Sequence, residues 1–531
     1  MKSKNVLKAD FIVLGGGLGG CMAALAAAKS GLSVIMTEET DWIGGQLTSQ
    51  AVPPDEHRWI EKFGCTKTYQ EFRNRVRAYY RANYPLTDAA NQNEVLNPGN
   101  GWVSRLCHEP KVALRVLEDM LAPYTSSGRI TILYPYRVVH AVTDGDLVIS
   151  VKVQQHHSCE EVTLYGTFFA DATECGDLLP LAGIEHVMGA ESKEQTGEPH
   201  AAEVADPHDM QSITHVFAVD YVEGGNFTID KPKQYKFWRE YIPQNYENLP
   251  LLGWLVPEIS KNGTIKEYAL FKGKLGEWWE SLFNYRRFID RTQFKNQLFP
   301  SDISLINWPQ NDYHLGAIYG VSEHERNKHL EGARQLSLSL LYWLQTEAPR
   351  LDGGKGYPGL RLRKDVLGTE DGFAKYPYIR ESRRIKALYT ITEHDVSKEI
   401  RGQQGIRKYD DSVGVGHYYL DLHMTTASHR SLYIPSYPYE IPLGALLPIR
   451  MKNVLPACKN IGTTQIANGC YRLHPTEWNI GESVGYLVAY AFKNHILPRD
   501  IREDAAHLHA FQGMIQEQGV QIHWPDDITL P

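Results

Sequence analysis

The side chains best suited to acid–base chemistry lie in three polar clusters of the sequence. The candidate catalytic residues are His417, His474, Glu477 and Arg380. Histidine and glutamate exchange protons when their surroundings tune them, and arginine binds anionic groups through parallel hydrogen bonds. These residues could therefore take a proton from a small polar substrate and hold its charged group. The structural alternatives are a helix-capping pair for His474 and Glu477, and an ion-pair network for Arg380.

The segment from 416 to 423 has polar residues at alternate positions. On a strand, alternate side chains share one face, so we expect a face made of His417, Tyr419, Asp421 and His423. That face could line a substrate cavity, or it could be an ordinary hydrogen-bonded sheet surface. Its residue types also suit a metal, but the sequence offers no further ligand cluster, and we expect no metal site. The turn at 55–57, Asp-Glu-His after two prolines, is a further candidate to face the site.

A glycine-rich turn near the start of the sequence has the spacing of a dinucleotide-binding motif. Gly15, Gly17 and Gly20 satisfy GxGxxG between an apolar predicted strand and a predicted helix. The first glycine permits a tight turn, the second a close approach of a pyrophosphate, and the third close packing of the helix on the strand. Leu18 and Gly19 lead into the helix, whose free N–H groups attract phosphate.

Two further segments bear on this motif. Glu38 ends the next predicted strand, where a carboxylate would accept hydrogen bonds from a ribose; Glu39 is the alternative, and either could be a solvated turn residue. A second GxGxxG match at 354–359 follows a helical pattern and has Pro358 where a helix would have to begin. We predict a turn-rich loop there, and therefore no second nucleotide site of the kind that binds NAD(P)H.

The periodicity around these motifs predicts an α/β fold with discontinuous domains. The segments expected to form a Rossmann-type domain, with a three-layer, mostly parallel sheet, are 1–50, 108–200 and 440–495. The segments expected to form an interleaved α+β substrate or cap domain are 51–107 and 201–439, with 496–531 as a C-terminal extension. The stretches with a helical pattern are 109–124, 323–346 and 475–492.

Composition narrows the classes of partner. The chain has 531 residues, a formal net charge of -8, 42% hydrophobic and 22% charged residues, which is typical of a globular enzyme. No basic stripe is present, so we expect neither nucleic acid nor a membrane surface as a partner. The polar start and the lack of a long apolar run predict a cytoplasmic protein without an export signal. The seven cysteines form no CxxC pair and are expected to be reduced thiols; the oligomeric state is left open.

Three blocks of the sequence resemble the FAD-dependent oxidoreductases that have a glutathione-reductase-type FAD domain. The first block, 10–48, adds the loop residues Gly44, Gly45 and Gln46 to the glycine turn. The second, 168–177, contains Ala172, Thr173 and Gly176 but carries Glu174-Cys175 as an insertion in the family's DATG segment. The third, 461–485, contains Gly462, Arg472, Pro475 and Thr476. The resemblance implies that these residues bind FAD, with Val138 beside the adenine.

The resemblance also implies a function. The first interpretation is oxidation of a small polar metabolite, such as a sugar or another hydroxylated compound, by hydride transfer to FAD, with His417 or His474 as the base. O2 or another acceptor would then reoxidise the cofactor. The alternative is a flavin-dependent monooxygenase or hydroxylase, but the segment 462–472 lacks the GD block of the aromatic hydroxylases. A third interpretation, from another class, is a flavin-binding protein that does not turn over.

Overall fold

The structure is a computed structural model that describes residues 5–156, 158, 160–259, 264–272 and 281–528. Cys159 lies outside the described residues, whereas the other cysteines are buried free thiols. Within the described ranges, every helix is too short or too polar to cross a membrane.

The central sheet has seven strands among the described residues. They are β1 (Val6–Leu14), β2 (Val34–Thr37), β3 (Ile130–Leu133), β4 (Tyr136–Asp144), β5 (Leu147–Gln155), β6 (Glu161–Asp171) and β19 (Val454–Pro456). The order is β3-β2-β1-β6-β5-β4, and β19 pairs in parallel with the end of β6. Strands β3, β2, β1 and β6 run parallel to one another, whereas β5 is antiparallel to both of its neighbours, β6 and β4. This sheet confirms the predicted α/β, Rossmann-type fold.

The C-terminal half of β1 is buried on both faces. Phe11 and Val13 pack in one hydrophobic cluster, while Ile12 and Leu14 pack in another. A continuous apolar run is the pattern of a strand that is covered on both sides. The strand therefore ends inside the molecule, and the turn that follows it is held at the sheet's carboxyl edge.

Helices pack closely around this sheet. Those in its first half are α1 (Leu18–Lys29), α2 (Lys67–Asn83), α3 (Asp88–Gln92), α4 (Pro110–Ser126), α5 (Leu178–Leu181) and α6 (Lys193–Thr196). Those at the C-terminal end are α13 (Gln465–Tyr471), α14 (His474–Asn494), α15 (Pro498–Glu503) and α16 (Ala505–Glu517). A Cβ at Gly481 of α14 would lie 2.0 Å from the Gly19 carbonyl oxygen of α1, so glycine is what permits this contact.

A second sheet lies in the segment between β6 and β19. Its strands are β8 (Phe217–Tyr221), β11 (Arg287–Ile289), β12 (Ile303–Ile306) and β13 (Leu360–Leu362), in the order β11-β12-β8-β13. All its pairings among the described residues are antiparallel. The long helix α9 (Glu323–Thr346) begins where the Ser322 hydroxyl accepts a hydrogen bond from the Glu325 N–H, and it coincides with the predicted helix.

Short elements complete this region. The two-stranded pairs are β7 (His186–Val187) with β14 (Arg384–Ile385), β9 (Leu255–Pro257) with β10 (Ile265–Glu267), β15 (Ser412–Gly416) with β18 (Tyr439–Pro442), and β16 (Leu420–Leu422) with β17 (Leu432–Ile434). The remaining α-helices are α7 (Tyr235–Glu240), α8 (Leu282–Tyr285), α10 (Lys364–Leu367), α11 (Glu393–Val396) and α12 (Lys398–Arg401). The second glycine match, 354–359, runs through turns into strand β13, where the motif would require the start of a helix, as predicted.

Candidate cofactor and substrate site

The glycines of the first turn have different neighbours. Gly15 has φ +99°, and a Cβ there would lie 2.2 Å from the Ala172 carbonyl oxygen; a Cβ at Gly20 would lie 2.0 Å from the Gly15 carbonyl oxygen. At Gly17 the nearest atom to a Cβ is the Glu174 Oε1, at 3.1 Å, and the nearest backbone atom, the Ala172 carbonyl oxygen, is 3.8 Å away. The first and third glycines are therefore required by the fold, whereas Gly17 faces a space closed only by side-chain ends.

This space lies at the N-terminus of α1. Gly17 is the N-cap and offers no side-chain acceptor, and the Gly19 N–H reaches only the Glu477 Oε1, at 3.4 Å. An uncapped helix N-terminus is attractive to an anion because its N–H groups and dipole are positive. Glu477 also accepts a 2.6 Å hydrogen bond from the Gln46 amide. Burial raises the pKa of Glu477 to about 7, although the nearby Lys459 opposes this shift.

A buried ion pair stands at the same place. Lys459 is fully buried, and its Nζ contacts the carboxylate of Glu174. Burial alone would lower the lysine pKa, but Glu174 and Glu477 outweigh it and hold that pKa above its ordinary value. The inserted Glu174 therefore places a carboxylate over the glycine turn, paired with a cation that the sequence analysis missed.

The end of β2 is organised by Glu38. Its Oε2 accepts from the Gly16 N–H at 3.2 Å, and its Oε1 accepts from the Thr40 N–H at 2.8 Å and hydroxyl at 2.7 Å. Burial raises the pKa of Glu38 to about 7. Glu39 points elsewhere, with its carboxylate 3.8 Å from the His156 ring. Glu38 is thus the carboxylate that contacts the glycine turn.

A cavity of about 800 Å³ lies beside the C-terminal block. The acid–base residues that line it include Asp55, Asp312, His314, His417, Asp421 and His423. The aromatic residues that line it include Trp102, Tyr246, Tyr285, Tyr418, Tyr419 and Tyr433. A cavity of this size with a few convergent polar groups suits a small-molecule ligand.

His423 is held between two carboxylates in this cavity. Its Nδ1 lies 2.6 Å from Asp312 and its Nε2 lies 3.4 Å from Asp421. Asp312 also pairs with Arg380 at 2.9 Å, and Asp421 with Arg472 at 3.3 Å. Burial disfavours the ionised form of Asp312, but Arg380 and His423 prevail and hold its pKa well below the usual range. Asp312 and Asp421 therefore stay ionised beside the imidazole.

The other two candidate bases are poorer ones. Burial is the main reason that the pKa of His417 falls to about 3 and that of His474 to about 3. The His474 Nδ1 accepts a 3.1 Å hydrogen bond from the Asp55 N–H. A histidine without an adjacent carboxylate gains little on becoming an imidazolium in a buried place.

A protein-family model described as FAD dependent oxidoreductase matches residues 10–514. The chain belongs to this family. Its cofactor is FAD, which confirms the expected cofactor and flavoprotein class. No curated protein is detectably similar to the chain.

Solved structures of other proteins show distant likeness to this FAD dependent oxidoreductase. A geranylgeranyl bacteriochlorophyll reductase-like protein from Thermoplasma acidophilum is 11% identical, covers 98% of this chain and 85% of its own, and has a TM-score of 0.30. L-proline dehydrogenase from P. horikoshii is 13% identical over 35% of this chain and 24% of its own, with a TM-score of 0.19. Glycerol-3-phosphate dehydrogenase from Bacillus halodurans is 14% identical over 42% and 40%, with a TM-score of 0.22. The chain thus spans less than half the length of either dehydrogenase, and we draw nothing about substrate from them.

Unpartnered polar atoms on the first and third blocks and on neighbouring residues fit FAD. Among the described side chains, buried atoms without a hydrogen-bond partner include Gln46 Oε1, Gln50 Nε2, Ser382 Oγ, Arg472 Nε and His474 Nε2. Buried polar atoms are rarely left unpaired, and an isoalloxazine ring carries nitrogen and oxygen atoms to pair with them. Together with the open face of Gly17, these atoms make the residues present compatible with the cofactor.

The predicted FAD-binding residues fall at three places. Those at the glycine turn and the loop after β2 are Gly15, Gly17, Leu18, Gly19, Gly20, Glu38, Gly44, Gly45 and Gln46. Those on β6 and just after it, or on β4, are Ala172, Thr173, Gly176 and Val138. Those before and within α14 are Gly462, Arg472, Pro475 and Thr476. The Gln46 amide donates to the Arg472 carbonyl at 3.0 Å, which joins the first group to the third.

Two predicted residues lie farther from the cavity than the sequence suggested. Arg380 is buried behind Asp312, where it also donates to the Thr214 hydroxyl at 2.8 Å. His474 lies behind Asp55, as the first residue of α14. Both therefore act on residues of the cavity wall.

The alternating strand at 417–423 is interrupted. β15 ends at Gly416 and β16 begins at Leu420, so residues 417–419 lie between strands. A Cβ at Gly416 would lie 2.4 Å from the Thr476 hydroxyl, which shows how tightly α14 packs there. His417, Tyr419, Asp421 and His423 all line the cavity, but Tyr418 does so too. The turn at 55–57 also lines it.

Asp312 is the main cavity residue that the sequence analysis missed. It follows a 3-10 helix at Pro309–Asn311 and is 111 positions from His423, so no local pattern connects the two. Lys459 was missed as well, although its position just after β19 placed it near the sheet's carboxyl edge.

Proposed function

We propose that this family member oxidises a C–H or C–N bond of a small polar metabolite by hydride transfer to FAD. The observation that carries the proposal is His423, held between Asp312 and Asp421 in a cavity that adjoins the C-terminal FAD block. FAD, when bound, supplies a two-electron acceptor that O2 or another acceptor restores.

The cavity and the cofactor blocks share contacts. Arg472 of the third block pairs with Asp421, and His474 of the same block binds the Asp55 backbone; both aspartates line the cavity. A substrate in the cavity would therefore lie next to the residues that the family resemblance assigns to the flavin side.

His423 has the geometry of a general base. Its Nδ1–H donates to Asp312, and a substrate hydroxyl or amine that replaces the longer, 3.4 Å contact of Nε2 with Asp421 would give up its proton to Nε2. The imidazolium that results is stabilised by Asp421, 3.4 Å from Nε2, and by Asp312. We therefore assign the proton transfer to His423 in place of His417 or His474.

Arg380 is a positioning residue in this proposal. Its guanidinium binds the Asp312 Oδ1 while His423 binds Oδ2, so both oxygens of the carboxylate are fixed. A fixed carboxylate holds one tautomer and one ring orientation of the histidine.

Replacing His423 tests this assignment. His423→Asn in the FAD-loaded protein should slow flavin reduction about 10²- to 10⁴-fold, the usual contribution of a general base. The substrate would be whichever sugar, polyol or hydroxy acid reduces the wild-type flavin fastest under anaerobic conditions, measured by stopped-flow absorbance.

His417→Asn is the matched control, because His417 lines the same cavity without a carboxylate partner. Its reduction rate should stay close to that of the wild type, and both variants should keep the flavin spectrum. A loss confined to His417→Asn, with His423→Asn unaffected, would contradict the assignment.

A further inference from the structure

Three carboxylates of the cavity are already neutralised by arginines. Asp55 pairs with Arg286 at 3.3 Å, and Asp312 and Asp421 pair with Arg380 and Arg472. These pairs therefore add little net charge to the cavity, in spite of its many acidic residues.

Arg430 is a cation in the cavity wall without such a partner. Its Nη1 donates to the neutral His200 carbonyl at 2.8 Å, and its Nε is buried without a hydrogen-bond partner. Asp209, Glu393 and Glu198 act on it electrostatically, but none of the described carboxylates forms an ion pair with it. Burying a guanidinium is costly unless an anion compensates it, so this group is placed to receive one.

Two histidines stand beside this arginine. The rings of His314 and His429 are 5.2 Å apart, and the His429 Nδ1 is buried without a partner. His429 has φ +54°, a left-handed conformation that a non-glycine residue seldom adopts. Asp209 holds the loop in place by accepting from the Ala427 and Ser428 N–H groups at 2.8 and 2.9 Å.

The same wall continues to the proposed base. Asp312 binds His423 through its carboxylate and His314 through its carbonyl oxygen, at 2.9 Å. Tyrosines also line this cavity, and the buried Tyr246 hydroxyl has no hydrogen-bond partner among the described residues. Hydroxyl-bearing ligands pair with such groups and stack on such rings.

We infer that Arg430 and His429 form an oxyanion-binding subsite, and that the substrate is a polyhydroxylated compound carrying a carboxylate or a phosphate. This inference rests on the proposed function, since it places the oxidised hydroxyl at His423 and the anionic group at Arg430. The imidazole atom available to the anion is the His429 Nδ1, since the Asp312 carbonyl and the Tyr241 hydroxyl engage both ring nitrogens of His314.

Matched ligands test the subsite directly. D-gluconate, D-glucitol and D-glucitol 6-phosphate share a polyol chain and differ in the anionic group. Calorimetric titration of the FAD-loaded protein should show at least one of the anions binding about 10- to 100-fold more tightly than D-glucitol, the usual value of a charged hydrogen bond. The tighter anion identifies the carboxylate or the phosphate. Equal affinities for all three compounds, or no binding of either anion, would overturn the inference.

Substitutions distinguish anion binding at this subsite from a general effect on ligand binding. Arg430→Gln should remove the preference for the anion and leave D-glucitol binding unchanged, whereas Arg430→Lys should retain part of it. Arg58→Gln is the control, because Arg58 also lines the cavity but is exposed and stacks on Trp59. An unchanged flavin spectrum and melting temperature would show that the variants are folded.

The anion-binding subsite and the proposed oxidation can fail separately in these experiments. If gluconate binds through Arg430 but no hydroxylated compound reduces the flavin, the proposed oxidation is wrong and the subsite stands. If a compound reduces the flavin but Arg430→Gln weakens neutral and anionic ligands equally, the subsite is wrong and the oxidation stands.

Discussion

Glu477 joins three segments that are far apart in the sequence. Its carboxylate accepts from Gly19 at the start of α1 and from Gln46 in the loop after β2, while the residue itself belongs to α14. Lys459 and Glu174 supply the charges that face it. This carboxylate lies where we expect the FAD pyrophosphate to bind, so its charge should affect the affinity for FAD.

The affinity for FAD should depend on pH through Glu477. Burial raises the pKa of Glu477 to about 7, so at pH 8 it is mostly ionised and repels the pyrophosphate, and at pH 6 it is mostly neutral. The dissociation constant for FAD should be up to about tenfold lower at pH 6 than at pH 8. Fluorescence titration of the flavin-free protein measures it.

Glu477→Gln is the control for this effect, since it keeps the shape and removes the titration. Its FAD affinity should change much less between the two pH values. A full pH dependence in Glu477→Gln would assign the effect to Glu38, whose pKa burial also raises to about 7.

Individual residues were predictable from the sequence where their role depends on the nearby backbone, as it does in the glycine turn. The GxGxxG spacing identified Gly15 and Gly20, whose close contacts exclude any side chain. The same reasoning could not find Asp312, because its partner His423 is distant in sequence and the contact depends on the folded cavity. His417 was a candidate base, but the sequence does not reveal that it is buried without a carboxylate partner.

At the scale of elements, α1 and α14 are in unusually close contact. A Cβ at Gly485 of α14 would lie 2.4 Å from the Ala23 carbonyl oxygen and 2.8 Å from the Ala26 Cβ of α1. Both helices flank the glycine turn, so their spacing sets the geometry of the cofactor site.

Gly485→Ala should destabilise the protein. The added methyl group has no space between the helices, and overpacking of this kind costs about 1–3 kcal/mol. Gly513→Ala in α16 is the matched control, because nothing lies within 4 Å of its Cβ position. It should stabilise the protein by about 0.5–1 kcal/mol, since alanine favours a helix over glycine. Urea unfolding measures both, and a Gly485→Ala variant as stable as the wild type would contradict the packing account.

Elements with a long, regular pattern were predicted well. The pattern at 323–346 gave helix α9, and that at 475–492 gave most of α14. The segment 416–423 was predicted less well, because strand alternation is short-range and packing against α14 interrupts it at residues 417–419. The four side chains expected to share a face all line the cavity, although the strand expected to align them is interrupted.

At the scale of the whole molecule, the candidate site is assembled from distant segments. The cavity takes Asp55 from the region after β2, Asp312 from the region after β12, and His423 from the region after β16. The family and the cofactor follow from motifs that stay local in the sequence. The cavity does not, because long-range packing alone brings its parts together.

Anaerobic spectroscopy of the FAD-loaded protein shows whether a substrate, and not a nicotinamide, reduces the flavin. We expect a flavin absorption band that is stable to NADH and NADPH and is bleached by a hydroxylated, anionic substrate. Rapid bleaching by NADH or NADPH alone would contradict it and favour a monooxygenase.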